Sequence, residues 1–97
     1  MNGKGDAARR VLEFLNERAT RAYKPTLVNL EFIVARLKEG YTETQCRQVV
    51  VRKAREWGSD EKMAGYLRPA TLFNREKFNQ YAGELVVAPD ASGGGNG

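Results

Sequence analysis

Residues 57–73 read WGSDEKMAGYLRPATLF, and they decide how this chain can fold. The stretch holds the only tryptophan, followed by Met63, Tyr66, Leu67, Leu72 and Phe73, a density of bulky apolar side chains that belongs in a core. Gly58, Gly65 and Pro69 interrupt it, so it cannot be one continuous helix. It predicts short helical turns folded back on a body that the rest of the chain supplies. Ser59 and Asp60 can cap the first of them, EKMAGYL.

Upstream, three amphipathic patterns supply that body. Ala8, Val11, Leu12, Leu15 and Ala19 follow the spacing of one helical face, with Phe14 widening it and Asp6 as the expected N-cap. This helix should end near Ala19 or Thr20, before Pro25, and Tyr23 in the connector should lie as a lid on the core. Thr26 can cap a second helix that turns Leu27, Leu30, Ile33, Val34 and Leu37 inward and stops at Gly40. Thr42 and Gln45 have the spacing of a capping box opening a third helix, whose inner face holds Cys46, Val49, Val50, Ala54 and Trp57 before Gly58 ends it.

Downstream of Pro69 the pattern turns Leu72, Phe73, Phe78, Tyr81, Ala82 and Leu85 toward the body, with Asn74 as a cap between two helical pieces. Val86, Val87 and Ala88 are apolar but precede Pro89, and a strand there would have no partner. The expected fold is all-α, a small bundle of three main helices plus a C-terminal helical subdomain. Residues 6–85 form one domain on this basis. Residues 1–5 and the Gly-rich residues 86–97 lack the bulky side chains that offset ordering entropy, and both ends are expected to be flexible.

Composition narrows the chemistry. Sixteen Lys and Arg against twelve Asp and Glu give +4, and with no histidine that charge changes little across physiological pH. The single cysteine, Cys46, cannot form an internal disulfide, which favours a reducing compartment. No apolar run approaches the roughly 18 residues of a membrane span, so a soluble cytoplasmic protein is expected. Without histidine or paired carboxylates in an apolar run, the usual nucleophiles, bases and metal ligands are nearly absent, and neither an enzyme nor a cofactor is expected. Cys46 falls on an inner face, where a thiol is a small core residue.

The basic residues carry the functional information. Arg47, Arg52, Lys53, Arg55, Lys62, Arg68, Arg75 and Lys77 stand against only Glu56, Asp60, Glu61 and Glu76 over residues 47–77, a surplus of four that equals the net charge. Clustered donors of this kind suit DNA phosphates, although a solvated helix face has the same composition. Arg47 and Arg55 are eight apart and share a face, with Arg52 and Lys53 on its flanks. Trp57 invites a stacking role, yet its spacing from Cys46, Val50 and Ala54 puts it on the inner stripe. Pro69 biases Arg68 to an extended backbone; its guanidinium is then either presented from a turn or paired with Asp60, Glu61 or a helix C-terminus.

Three pieces of the chain, residues 15–42, the helix ending in Glu56 and Trp57, and residues 60–78, together resemble the conserved phage C-terminal domain family. The most specific are residues 36–41, RLKEGY, and Lys62-Met63 followed by Tyr66-Leu67-Arg68-Pro69 and Thr71-Leu72-Phe73. That family is similar in outline to the C-terminal domain of DnaD-like primosome proteins. In those relatives an aromatic, an aliphatic and a tryptophan recur four apart on a helix associated with DNA binding; Val49, Lys53 and Trp57 occupy those places here, so the tryptophan alone is kept. In the family the module usually follows a winged-helix type DNA-binding domain, which is not in this sequence, so origin recognition by this chain alone is not expected.

The resemblance implies a helical module of phage or prophage DNA replication initiation, contacting DNA, a host replicative helicase or its loader, or sister copies. DNA binding through the basic surface is the leading expectation. A protein-interaction module is the alternative, and Phe14, Phe32, Tyr41 and Val51, which fall off the main stripes, are its candidate contacts. A small phage inhibitor of a host enzyme is a third possibility.

Overall fold

The computed structural model describes residues 3–87, and no strand occurs among them. In chain order the elements are α1 (Gly3–Ala19), α2 (Leu27–Lys38), α3 (Glu43–Trp57), a 3-10 turn (Met63–Tyr66), α4 (Pro69–Leu72) and α5 (Arg75–Val87). The expected all-α architecture is therefore present: α1 lies against α2 and α3, and the elements after Gly58 fold back onto α2 and α3. Residues 1, 2 and 88–97, which include Ala88 and most of the expected tail, lie outside the described residues.

Most helix boundaries follow from the caps. The Thr26 hydroxyl accepts from the Asn29 N–H at 3.3 Å, and Thr42 with Gln45 forms the full capping box. The Asp60 carboxylate accepts from the Lys62 and Met63 N–H groups, and the Asn74 side chain accepts from Lys77 N–H at 3.0 Å to start α5. Gly40 takes φ +107°, a backbone open mainly to glycine, and lets Tyr41 N–H reach back to the Arg36 carbonyl. Thr20 ends α1 in the same way at φ 54°, with Arg21 N–H on the Asn16 carbonyl. A β-branched residue carries strain there.

Two helices run past the bounds expected from the pattern. Helix α1 begins at Gly3, so Gly3, Lys4 and Gly5 are helical, ahead of the start expected at Asp6. Asp6 then sits in the first turn, where its charge complements the helix dipole without capping it. Helix α5 likewise runs past Leu85 to Val87. Once the inner faces are anchored, each added residue needs only its own hydrogen bond and a modest propensity cost.

The core joins Ala8, Val11, Leu12 and Leu15 of α1 to Ile33 and Leu37 of α2, then to Cys46, Val49 and Val50 of α3. Leu67, Leu72, Phe73, Phe78, Tyr81 and Ala82 complete it from the C-terminal part. Phe73 and Phe78 stack at 5.4 Å between ring centroids, and Tyr41 meets Phe78 edge-on at 4.8 Å. Leu27 departs from the expected inner face of α2 and is 77 % exposed. Side chains lean toward a helix's N-terminus, and at the first position that carries Leu27 off the end of the packed stripe.

Polar groups tie the C-terminal part to the body at several places. Tyr23 donates its hydroxyl to the Leu67 carbonyl at 2.9 Å, which makes it the expected lid, and Tyr41 hydrogen-bonds Asn79. Arg21 Nη2 donates to the Ala64 carbonyl at 3.0 Å. Arg36, only 6 % exposed, reaches across to donate to the Phe73 carbonyl at 3.0 Å and to Glu39 at 3.0 Å. Because its guanidinium satisfies a carbonyl at the end of α4, a charged residue holds a core position of α2.

Candidate nucleic-acid interface

The eight basic residues singled out by charge are not brought to one surface. Arg47, Arg52 and Arg55 share the outer face of α3 and line a groove of about 370 Å³ with Gln48, Val51 and Leu85. Arg18 of α1 meets Arg55 and Val51 in an adjoining depression, extending the basic surface across the α1–α3 seam. The seam itself is held by a forked pair, Arg10 to Glu43 at 2.9 and 3.0 Å.

Much of the charge in this groove already has a partner. Arg47 donates to Glu43 at 3.1 Å and lies over Phe14, 5.0 Å from its centroid. The Arg10 hydrogen bond is the largest influence on the Glu43 carboxyl and, with Arg47, holds it below the usual carboxylate range despite some burial. Arg52 donates to Glu56 at 3.1 Å and lies 3.8 Å from Glu84. Arg55 is exposed and has no carboxylate at ion-pair distance among the described residues.

Lys53 is not on this surface at all. It is 5 % exposed on the inner side of α3, with Nζ 3.0 Å from Glu56 and 3.3 Å from Glu84, and it sits over the rings of Tyr81 at 4.3 Å and Trp57 at 5.2 Å. Positions 46, 49, 50, 53 and 57 fall on one helical face, so the aliphatic stem is buried while the ammonium is neutralised at its tip. Burial alone would raise the Glu56 carboxyl, but hydrogen bonds from Lys53 and Arg52 outweigh it and keep that pKa low. This ammonium cannot reach a phosphate without breaking the tie between α3 and α5.

The remaining cations lie beyond α3. Arg75 is 82 % exposed on its side chain and approaches Glu39 at 3.9 Å, beside the end of α2. Lys62 is exposed in the loop before the 3-10 turn. Arg68 has the extended backbone expected before Pro69, at φ −150° and ψ 156°. Its guanidinium pairs with neither Asp60 nor Glu61; Nε donates to Thr71 at 3.0 Å, and the group lies 5.5 Å from the Tyr66 centroid. Arg68 and Lys77 line a second pocket, of about 360 Å³, whose aromatic residues are Trp57, Tyr66 and Tyr81.

Trp57 is half-buried at the end of α3, edge-on to Tyr81 at 5.9 Å, so it flanks both the core and this pocket. The off-stripe residues Phe14, Phe32 and Tyr41 are half-buried against the core, and Val51 is half-buried in the α3 groove. The exposed large apolar residues are instead Leu27, Val28 and Tyr66. Val28 falls off the expected α2 stripe, whereas the exposure of Leu27 follows from its place at the start of the helix.

Cys46 is fully buried, and desolvation pushes its thiol up to about 12, which leaves it chemically inert. No three His, Cys, Asp or Glu side chains converge as a metal site among the described residues, and no helix among them is long and apolar enough to cross a membrane. No curated protein and no solved structure matches the chain. The family described as the conserved phage C-terminus matches residues 11–83, a span that begins inside α1 and ends inside α5 and so takes in all of the packed body between them. The chain belongs to that family.

Proposed function

We propose that this chain is a non-enzymatic DNA-binding module of a phage or prophage replication initiation protein, working in the bacterial host cytoplasm. The observation that carries the proposal is the outer groove of α3, where Arg47, Arg52 and Arg55 line one surface and Arg18 extends it. Its mechanism is neutralisation of phosphates with release of counterions, which tolerates sequence and weakens steeply with salt. Arg55, without an acidic partner among the described residues, is the principal contact; Arg47 contributes the charge that Glu43, shared with Arg10, leaves over.

The test is anisotropy of labelled duplex DNA at two salt concentrations. Arg47→Glu with Arg55→Glu should weaken binding by an order of magnitude or more and flatten the salt dependence by about one unit of slope for each phosphate no longer neutralised. Unchanged affinity in a folded double variant would exclude this groove.

A second reading rests on a different observation. Leu27 and Val28, side by side at the start of α2, are 77 % and 64 % exposed, an apolar step suited to a protein contact. Under this reading the module recruits a host replicative helicase or helicase loader, or self-associates. Leu27→Asp should abolish capture of the purified helicase or loader, or lower the mass seen by light scattering, while leaving DNA binding intact.

A further inference from the structure

The pocket at the C-terminal end of α3 has a different character from the groove along its outer face. Trp57, Tyr66 and Tyr81 give it aromatic walls, and Arg68 and Lys77 are its cations; no carboxylate lines it among the described residues. Neither cation has a carboxylate at ion-pair distance among the described residues, in contrast to Arg47 and Arg52. Tyr66 is 44 % exposed and is the one aromatic among the exposed large apolar residues, so its ring is accessible from solvent. The volume of about 360 Å³ falls within the range of small-ligand sites, about 300–1,000 Å³.

Local structure holds these groups in place. The Asp60 cap and the 3-10 turn carry Tyr66 outward while Leu67 beside it enters the core. Pro69 keeps Arg68 extended, the Nε bond to Thr71 fixes one edge of the guanidinium, and the group lies over the Tyr66 ring, 5.5 Å from its centroid. Lys77 comes from the first turns of α5, whose start is set by Asn74.

We propose that this pocket takes one unpaired nucleotide of single-stranded DNA. The base stacks on Tyr66 against the wall that Trp57 provides, and Arg68 and Lys77 take the flanking phosphates. Every base has a π-face, so stacking of this kind tolerates sequence, whereas bases within a duplex are already stacked and would have to unpair to enter. The inference rests on the DNA-binding reading and goes beyond it, because it assigns strand form to a second site. Duplex backbone would lie on the α3 groove, and a melted strand would engage the pocket.

Trp57 is the only tryptophan, so its emission reports on the end of α3 that forms one wall of this pocket. The full chain is titrated with oligothymidylate and, separately, with a hairpin duplex, following Trp57 emission and anisotropy. Oligothymidylate should quench Trp57 saturably. Tyr66→Ala should weaken single-strand binding on the order of ten-fold and duplex binding less than about two-fold, whereas Tyr66→Phe should retain both. Lys77→Ala, at an exposed position with little bearing on folding, should lower the single-strand salt slope by about one. Equal loss for both DNA forms, or oligothymidylate binding without quenching or dependence on Tyr66, overturns the pocket assignment even if Arg55→Glu still impairs duplex binding. Loss through Tyr66→Ala with Arg55→Glu silent supports the pocket and removes the groove. Quenching by a phosphotyrosine peptide with none by oligothymidylate overturns the assignment in favour of a protein ligand.

Discussion

The outer groove of α3 and the aromatic pocket at the helix's end are both basic, but their cations are in different states. In the groove, Arg47 and Arg52 are engaged by Glu43 and Glu56, and Arg55 alone of the three stands without an acid among the described residues. In the pocket, Arg68 is oriented by a neutral hydroxyl and Lys77 has no acidic partner among the described residues. A residue count therefore overstates one surface and understates the other. Available charge depends on which carboxylates the fold brings within reach.

Lys53 stands between the two regions, and removing it is the most damaging way to break the comparison. Lys53→Met keeps the buried stem but leaves Glu56 and Glu84 without their ammonium, and it removes the cation over Tyr81 and Trp57. Loss of a fully buried pair costs about 3–5 kcal/mol; both carboxylates are partly exposed, so a destabilisation of about 1–3 kcal/mol in urea unfolding is expected. A neutral result would mean that α5 is held on α3 by apolar packing alone.

Acid should act on the groove side first. Glu43 and Glu56 have lowered pKa values in the fold, so their stabilisation is fully present above the unfolded carboxylate value and fades as pH falls through the folded values. Thermal stability should stay level through neutral pH and drop below about pH 4.3, with the drop reduced in Glu43→Gln. A fall that is the same in wild type and variant would remove the Arg10–Glu43–Arg47 link as a contributor.

A smaller effect tests whether the two surfaces depend on distant backbone strain. Thr20→Gly relieves a left-handed conformation and should raise stability by up to about 1 kcal/mol, with both DNA forms bound as before. The smallest expected change sharpens the comparison most directly. Glu56→Gln removes a competing charge beside Arg52 and should tighten duplex binding roughly three-fold at low salt, less at higher salt, while single-strand binding at the pocket stays unchanged. Equal tightening for both strands would mean that the two regions act as one electrostatic surface.

How far the sequence reached can be seen residue by residue. The hydroxyl and amide caps at Thr26, Thr42 with Gln45, and Asn74 were legible because capping is local chemistry between residues three apart. The stripe from Ala8 to Leu15 was legible from periodicity. Leu27 and Lys53 were not, since periodicity gives a residue's angle on its helix but not what lies opposite. Leu27 faces solvent beyond the end of the packed stripe, and Lys53 faces two carboxylates, one of them thirty-one residues away.

By itself, the sequence determined an all-α chain with three main helices and a folded-back C-terminal part, along with its caps, because these follow from spacing and short-range hydrogen bonding. Only the tertiary structure decided that Arg36 and Lys53 are interior, that Tyr66 is exposed, and that Trp57, Arg68 and Lys77 meet at one pocket. The physical reason is that burial and neutralisation are relations between residues far apart in the chain, and no local pattern encodes them.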